Sequence, residues 1–261
     1  MPLHSHSKDL SQTRFNRFAH SYVNGDAFAK GEELTHLVDI ALPQAHWLVL
    51  DVACGGGHTA LRFAPHVARV IATDIAPKML QAAQAFILDK GIKNVTFNFA
   101  DAEYLPFKDG AFDLVTCRIA PHHFPDCYSF VKQSVRVLKP GGTLLVQDHV
   151  LPEDRKAGRY LEKFEKLRDP SHHQAYTQAE WINMFRDAGL KVAQTEQIIK
   201  RHGFISWAKR QGSSPETIEH LVKLVKKAPQ TVVEWLQPNK FGTPQAAFVS
   251  HHIIIAGHKP C

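Results

Sequence analysis

The chain has 261 residues, of which 44% are hydrophobic and 21% are charged, so it can bury a sizeable core and is not predicted to be disordered. The net charge of +6 comes from basic residues scattered along the chain, which indicates a solvated basic surface and argues against a nucleic-acid partner. No apolar run approaches the roughly 18 residues needed to span a bilayer, and the N-terminal residues lack the apolar core of a signal peptide. A cytoplasmic location is therefore expected.

Strands and helices are predicted to alternate from residue 47 onwards. The predicted strands cover 47–52, 69–73, 95–99, 112–117, 143–147, 190–199 and 248–256. A helix is expected to begin at Pro77 and to end just before Gly91, because proline suits a first helical turn and glycine suits the position after a last one. The apolar stripe of the next helix includes Phe130, Val131 and Leu138, and the turn residues 139–142 are expected to end it. This alternation is typical of a parallel, doubly wound sheet.

The chain is expected to form one domain with three parts. Residues 1–40 are predicted to be an N-terminal helical lid, 41–150 a cofactor-binding core, and 151–261 cap helices and the last strands. In the third part, the sequence from Thr177 to Glu180 has the pattern of a capping box, and Ser214 is placed to begin a further helix.

The stretch VLDVACGGGHTALRF, residues 49–63, places a glycine-rich turn between a predicted strand and a predicted helix. Its glycines fit the dinucleotide pattern G-x-G-x-x-G/A. However, Asp51 would lie close to the pyrophosphate of a dinucleotide and repel it. A ligand with a cationic ammonium and a sulfonium, such as S-adenosylmethionine, suits an aspartate at this position better.

Two more carboxylates are predicted at the same edge of the sheet, because ligands bind beyond the carboxyl ends of the strands in an open α/β sheet. Asp74 follows the second strand and can accept hydrogen bonds from both hydroxyls of a ribose, although it can also cap the helix near Pro77. Asp101 follows the third strand and can accept a hydrogen bond from an exocyclic adenine amine.

These segments resemble the motifs of the class I S-adenosylmethionine-dependent methyltransferases. The first motif of that family is Asp/Glu-x-Gly/Ala-x-Gly-x-Gly, here residues 51–57, and 74–75, 99–126 and 137–148 resemble the later motifs. The chain most resembles small bacterial methyltransferases grouped near the ubiquinone/menaquinone-biosynthesis C-methyltransferases. The resemblance implies a Rossmann-like doubly wound sheet of seven strands, mostly parallel with an antiparallel last strand, together with a helical cap.

The resemblance also implies that the cofactor is S-adenosyl-L-methionine. The residues expected to bind it are Tyr22, Asp51, Ala53, Gly55, Gly57, Asp74, Ile75, Met79, Asp101, Ala102 and Cys117. Tyr22 resembles the tyrosine that such enzymes place over the cofactor carboxylate, and Ile75 the residue that packs on the adenine. Met79 can equally well be a core residue or a wall of the cofactor site.

The loop after the fourth strand is where a catalytic base is expected. It holds His122 and His123, where the quinone methyltransferases carry an Arg-Asn pair, which argues against a quinone-precursor substrate. Either histidine can act as a general base at neutral pH. Alternatively, one of them packs and the other caps the next helix.

The methyl acceptor is expected to be a small apolar or aromatic molecule. His172, His173 and Tyr176 precede a well-capped helix and can line its pocket, although they also suit a polar surface loop. The aromatic residues of the segment 200–245 can wall an apolar acceptor site, although packing on the sheet explains most of them.

No metal site is expected. The 17 histidines include the adjacent pairs 122–123, 172–173 and 251–252, and neighbours in a strand point to opposite faces. No His/Cys cluster has ligand spacing. The irregular spacing of the cysteines also argues against a structural zinc site or a disulfide framework; they are Cys54, Cys117, Cys127 and Cys261.

Two alternative enzymatic functions stay open, beside that of a non-catalytic protein that kept the cofactor-binding fold, which the intact motifs argue against. The first is methyl transfer to RNA or protein, which the basic charge favours, but no Asn-Pro-Pro-Tyr-like motif follows the fourth strand. The second is a nicotinamide-dependent oxidoreductase, which fits the glycine spacing but not Asp51, and no Tyr-x-x-x-Lys pair is found.

Overall fold

The computed structural model describes residues 2–24 and 32–261. Its main sheet has seven strands: β1 (Leu48–Val52), β2 (Arg69–Asp74), β3 (Val95–Phe99), β4 (Phe112–Arg118), β5 (Leu138–Leu151), β7 (Lys191–Gly203) and β8 (Ala247–His258). Their order in the sheet is β3-β2-β1-β4-β5-β8-β7, and the two-residue strand β6 (Tyr176–Thr177) pairs with β5 off this path. The strands from β3 to β5 are parallel, whereas β8 is antiparallel to both β5 and β7. The predicted fold class is therefore confirmed.

Helices connect and flank these strands. The N-terminal and core helices are α1 (Pro2–Asn24), α2 (Glu32–Ala41), α3 (His58–Phe63), α4 (Pro77–Asp89) and α5 (Cys127–Val137). The helices after β5 are α6 (Arg155–Arg168), α7 (Gln178–Asp187), α8 (Phe204–Arg210), α9 (Pro215–Lys226) and α10 (Gln230–Leu236). Short 3-10 turns cover Ala64–His66 and Pro121–His123. Within the described residues no helix is both long enough and apolar enough to cross a membrane.

Helices cover both faces of the sheet, so its central strands are buried on both sides. In β1, Leu50 and Val52 pack into one core cluster and Val49 into the cluster on the opposite face, as expected from the two-residue period of a strand. All three are 1% exposed or less, and burial of such a side chain contributes about 1.5–3 kcal/mol. This rigid sheet fixes the positions of the loops at its carboxyl edge.

The helices after β5 enclose a third core cluster. Phe164 of α6 stacks on Trp207 of α8, with ring centroids 5.1 Å apart, and Phe248 of β8 packs edge-on against both rings. Leu221 and Val232 complete the cluster from α9 and α10. The aromatic residues of the segment 200–245 therefore serve mainly as core.

Several predicted boundaries are wrong. The helix α5 ends at Val137, and Leu138 with the turn residues 139–142 belongs to β5. Leu138 pairs with Phe112, and Gly141 donates a backbone hydrogen bond to the Lys259 carbonyl, so tertiary pairing extends the strand through a sequence typical of a turn. The capping box at Thr177 and the Ser214 cap are confirmed.

Candidate active site

A cavity with about 970 Å³ of empty space, partly open to solvent, lies at the carboxyl edge of the sheet. The turn after β1 and the residues that follow β2, β3 and β4 form its walls, and α1 closes one side. Its lining includes Lys8, Ser11, Phe15, Tyr22, Asp51, Ala53, Cys54, Gly55, Gly56, His58, Thr59, Asp74, Ile75, Met79, Ala100, Asp101, Ala102, Glu103, Arg118, Ile119, Ala120, His123, Phe124 and Pro125. Most of the predicted cofactor residues meet here.

Two predicted cofactor residues lie outside this lining. Gly57 is the N-cap of α3 with a φ of 80°, and a Cβ there would meet Ile87 Cδ1 at 2.9 Å. It therefore shapes the turn and lets α3 approach α4. Cys117 is 1% exposed and packs in the core, because its side chain points to the face of β4 that α5 covers, so it is placed for packing rather than for ligand contact.

Asp51 lines the cavity near the end of β1 and is 1% exposed. Its Oδ1 accepts a hydrogen bond from Thr116 Oγ1 at 2.8 Å, whereas its Oδ2 makes no hydrogen bond within the described parts of the chain. Burial raises the pKa of Asp51 to about 7, although Arg118 opposes that rise. A cationic ligand group in the cavity would relieve this cost of burying a carboxylate.

Asp74 holds the glycine-rich turn against the end of β2. Its Oδ2 accepts a hydrogen bond from the Gly55 N–H at 3.0 Å, and its Oδ1 accepts one from the Ala76 N–H at 2.9 Å. Burial raises the pKa of Asp74 to about 6. Each oxygen keeps a second lone pair, so the side chain can organise the turn and still accept bonds from a ligand.

The residues after β3 are covered by α1. Lys8 forms ion pairs with Asp101 Oδ2 at 2.7 Å and with Glu103 Oε2 at 2.5 Å, a contact that the sequence did not indicate. Ala102 is 9% exposed beside them. Met79 is 1% exposed and packs with residues of α1. It also lines the cavity, so it is both a core residue and part of the cavity wall.

Helix α1 is fixed across the cavity by polar contacts and by packing of its apolar residues against α4. Gln12 Nε2 donates to the Ile75 carbonyl at 2.7 Å, and Asn16 Oδ1 accepts from the Lys78 N–H at 2.9 Å. At the other end of the helix, the Tyr22 carbonyl lies 3.0 Å from His58 Nε2. The Tyr22 hydroxyl accepts a hydrogen bond from Gln211 Nε2 at 2.9 Å, so the predicted tyrosine connects the turn after β1 to α8.

A second cavity, with about 600 Å³ of empty space, adjoins the first. Its lining is Tyr22, Ile119, His122, His123, His149, Arg168, Asp169, Lys200, His202, Trp207, Arg210, Gln211 and His252. Three of these residues also line the first cavity, namely Tyr22, Ile119 and His123. Ile119 has a φ of 53°, a rare conformation for a β-branched residue that is strained and is often found at functional sites.

His122 is held by a buried carboxylate. Asp148 is 0% exposed. Its Oδ2 accepts a hydrogen bond from the His122 backbone N–H at 2.7 Å, and its Oδ1 lies 2.6 Å from His122 Nδ1. Burial lowers the pKa of His122 well below its ordinary value and raises that of Asp148 to about 6. When neutral His122 donates its Nδ1–H to Asp148, its Nε2 carries no proton and can accept one.

His123 has the same tautomer for a different reason. Its Nδ1 lies 2.9 Å from the Ser171 carbonyl oxygen, which can only accept, so Nδ1 carries the proton. Burial lowers its pKa as well. The rings of His122 and His123 are 4.1 Å apart on the 3-10 turn. The strand-alternation argument therefore does not apply to this pair.

The three residues predicted to bind the acceptor do not line either cavity. His172 is 5% exposed and contacts Glu162 through Nε2 at 2.9 Å, and His173 donates its backbone N–H to the His122 carbonyl. Tyr176 packs against Trp181. Their segment folds under the histidine turn instead of facing the cavities, because its polar groups bond to that turn and to α6. Within the described ranges, no group of three or more His, Cys, Asp or Glu side chains is arranged to hold a metal ion.

The sequence reasoning missed most residues of the second cavity. His149 lines this cavity and Asp148 holds His122 beside it. Both follow the predicted strand 143–147 as polar residues, which is the signal that identified Asp74 and Asp101. Lys200 and His202 lie in the part of β7 beyond the predicted strand. His252 lies within the predicted strand 248–256, but the sequence pattern did not show what its side chain would face. No comparable signal marks the residues from α6 and α8.

Comparison with known proteins identifies the family. Residues 50–146 match the model of a methyltransferase domain. The chain is 36% identical over 253 residues to the uncharacterized methyltransferase YcgJ of Bacillus subtilis (strain 168), which covers 95% of this chain and 99% of the relative. The chain belongs to the S-adenosylmethionine-dependent methyltransferases. This membership removes the nicotinamide-dependent alternative.

Two further comparisons place this methyltransferase within its family. The crystal structure of the YcgJ protein superposes with a TM-score of 0.85 at 33% identity and covers 88% of this chain and 99% of that one. The ubiquinone/menaquinone biosynthesis C-methyltransferase of Shewanella frigidimarina (strain NCIMB 400) is 35% identical over 122 residues, 45% of this chain and 49% of the relative. The predicted resemblance is therefore confirmed.

Gly56→Ala tests how closely α1 must approach the turn after β1. A Cβ on Gly56 would lie 2.7 Å from the Tyr22 carbonyl oxygen, so this end of α1 must move away. We expect affinity for S-adenosylhomocysteine, measured by calorimetry, to fall about 5- to 150-fold, in line with the usual 1–3 kcal/mol cost of an added methyl group in a packed contact. Gly158→Ala is the control, because its Cβ would meet Leu151 Cδ1 at an ordinary 3.7 Å. Equal affinities in both variants would contradict this role of α1.

Proposed function

We propose that this methyltransferase binds S-adenosylmethionine in the first cavity and transfers its methyl group to a small molecule in the second cavity. The observation that carries the proposal is that the two cavities share three lining residues. Tyr22, Ile119 and His123 line both, so a donor in the first cavity and an acceptor in the second would both lie against these residues. Such alignment of two reactants is the main contribution that a protein makes to this displacement.

The residues of the first cavity fit the cofactor. Asp51, with an unpaired buried oxygen, would hold a cationic group, and Asp74 would accept hydrogen bonds from ribose hydroxyls. Asp101 and Ala102 would border the adenine, with Ile75 and Met79 as apolar walls. When bound, S-adenosylmethionine supplies a methyl group on a sulfonium centre, which is already a good leaving group.

The histidine turn would serve the acceptor. An acceptor that carries a proton on its reacting oxygen, nitrogen or carbon needs a base. His122 and His123 each present a bare Nε2, one fixed by Asp148 and the other by the Ser171 carbonyl. His123 lines both cavities, so it is the nearer of the two to the junction. The Asp148 carboxylate and the Ser171 carbonyl fix the two rings, so that each Nε2 would be ready to accept a proton.

The apolar acceptor expected from the aromatic residues fits this site poorly. Phe204, Val232 and Leu236 are 5% exposed or less and belong to the core cluster of the cap. Trp207 is the one member of that cluster that lines the second cavity, where charged residues and histidines surround it. The volume of the cavity supports a small molecule, and its polar lining supports a polar one.

A calorimetric titration with S-adenosylhomocysteine, run beside NADH, tests the proposal. We expect saturable binding of S-adenosylhomocysteine and no binding of NADH, because Asp51 faces the cavity where a pyrophosphate would have to lie. Failure of S-adenosylhomocysteine to bind would refute the assignment of the first cavity.

A further inference from the structure

We propose that the second cavity recognises an oxyanion, either a carboxylate or a phosphate, on the methyl acceptor. The inference rests on the proposed function, because it takes this cavity to be the acceptor site. Three fixed cations, Arg168, Lys200 and Arg210, line the cavity, and Asp169 is the one carboxylate among its described lining residues. Asp169 is already paired with Arg14 Nε at 3.2 Å, so it cannot balance the other three.

The three cations differ in how far the protein neutralises them. Arg168 pairs with Glu165 at 3.2 Å and lies over the Trp207 ring, and Lys200 pairs with Glu33. Arg210 makes no ion pair or hydrogen bond with the described residues, and its Nε is buried without a partner. Burying part of a guanidinium without an anion is costly, and its planar donors match the two oxygens of a carboxylate or phosphate.

Histidines supply further hydrogen-bonding groups to the same space. His252 is 3% exposed and its Nδ1 has no partner in the described chain, while its Nε2 contacts Ser250 Oγ at 3.0 Å. His202 contacts the same hydroxyl at 2.7 Å. Burial and the neighbouring cations lower the pKa of His202 to about 3. The cavity thus combines three cations with two polar atoms, Arg210 Nε and His252 Nδ1, that have no partner among the described residues.

A neutral apolar acceptor would leave this charge uncompensated. It would remove solvent from the half-buried Arg210 side chain and return no hydrogen bond, whereas an oxyanion would return charge-assisted ones. The anion would also lie beside the histidine turn, because His122 and His123 line the same cavity. The oxyanion that the cavity recognises and the atom that receives the methyl group would therefore be separate parts of one acceptor molecule.

The test uses three probes of matched shape, benzoate, phenyl phosphate and benzamide, titrated into the full chain saturated with S-adenosylhomocysteine. We expect benzoate or phenyl phosphate to bind at least about tenfold more tightly than the neutral benzamide, as charge-assisted hydrogen bonds are stronger than neutral ones. The tighter of the two anions identifies which oxyanion the site prefers. The preference for the anion should weaken at high salt.

Arg210→Gln should reduce this preference to about twofold or less, since it removes the unpaired cation. Lys209→Gln is the matched control, because Lys209 is an exposed cation on the same helix that does not line the cavity. Equal affinity of the wild type for the three probes, or no binding of either anion at about 10 mM, where a millimolar site would be filled, would overturn the proposal. Because the protein is loaded with S-adenosylhomocysteine first, failure to load would instead count against the proposed function.

Discussion

Replacing Asp148 with asparagine is expected to lower the free energy of unfolding and to leave His122 in the wrong tautomer. The two Asp148 oxygens accept the backbone N–H and the Nδ1–H of His122. An asparagine offers one acceptor and one donor group in their place, so one of these bonds must be lost or reversed. If the amide donates to Nδ1, the imidazole proton moves to Nε2 and the base is lost.

The expected destabilisation is about 1–3 kcal/mol, the usual cost of an unsatisfied buried polar group. If His122 is the base, turnover with an identified acceptor should fall about 10²- to 10⁴-fold. Nitrogen-15 NMR of the histidine side chains reports the tautomer, and denaturant unfolding reports the stability, so neither measurement needs the acceptor. Asp89→Asn, an exposed carboxylate on α4, is the control. A variant with unchanged tautomer and unchanged stability would show that Asp148 does not position His122.

Asp51→Asn is expected to weaken the binding of S-adenosylmethionine and S-adenosylhomocysteine about 10- to 100-fold, the range of a lost charge-assisted hydrogen bond. Asparagine has almost the same shape and can keep the bond from Thr116 Oγ1, so the loss comes mainly from the charge. Adenosine, which lacks the cationic groups of the cofactor, should bind both proteins equally. An equal loss for adenosine would mean that the variant distorts the cavity.

The same substitution should change the pH dependence of binding. The pKa of Asp51 lies near 7, above its ordinary 3.8, so the free protein favours the protonated carboxyl. The contribution of Asp51 to stability is therefore complete below about pH 4 and is lost as the pH rises through 7. A bound cation favours the ionised form. Affinity for S-adenosylmethionine should therefore rise through about pH 7 in the wild type and stay nearly flat in Asp51→Asn, as titrations at several pH values would reveal. A rise that persists in the variant would assign the dependence to another group.

The cofactor side of the site could be predicted because it depends on local order. Each of the strands β1, β2 and β3 is short and has an acidic residue at or just beyond its carboxyl end, and parallel strands bring their carboxyl ends together. Asp51, Asp74 and Asp101 therefore meet in the structure as expected. The glycines of the turn were predicted by the same reasoning, although Gly57 serves helix packing rather than ligand contact.

The acceptor side could not be predicted in the same way, because its residues come together only through long-range pairing. Arg168, Lys200 and Arg210 come from α6, β7 and α8, and the long antiparallel pairing of β7 with β8 brings their elements together. The polar pattern of β7 hid its length, so the predicted strand ended at residue 199, before His202. His172 and Tyr176 were assigned from their position in a loop, and that position does not determine which way a loop folds.

Helix α1 touches both halves of the site. Lys8 pairs with Asp101 beside the first cavity, while Arg14 pairs with Asp169 beside the second. Near its end, Tyr22 lines both cavities. One helix, held by these polar contacts and by the packing of Phe15 and Ala19 with Met79, thus borders both cavities. A displacement of α1 would widen both cavities together, so the release of the two products would depend on the mobility of a single helix.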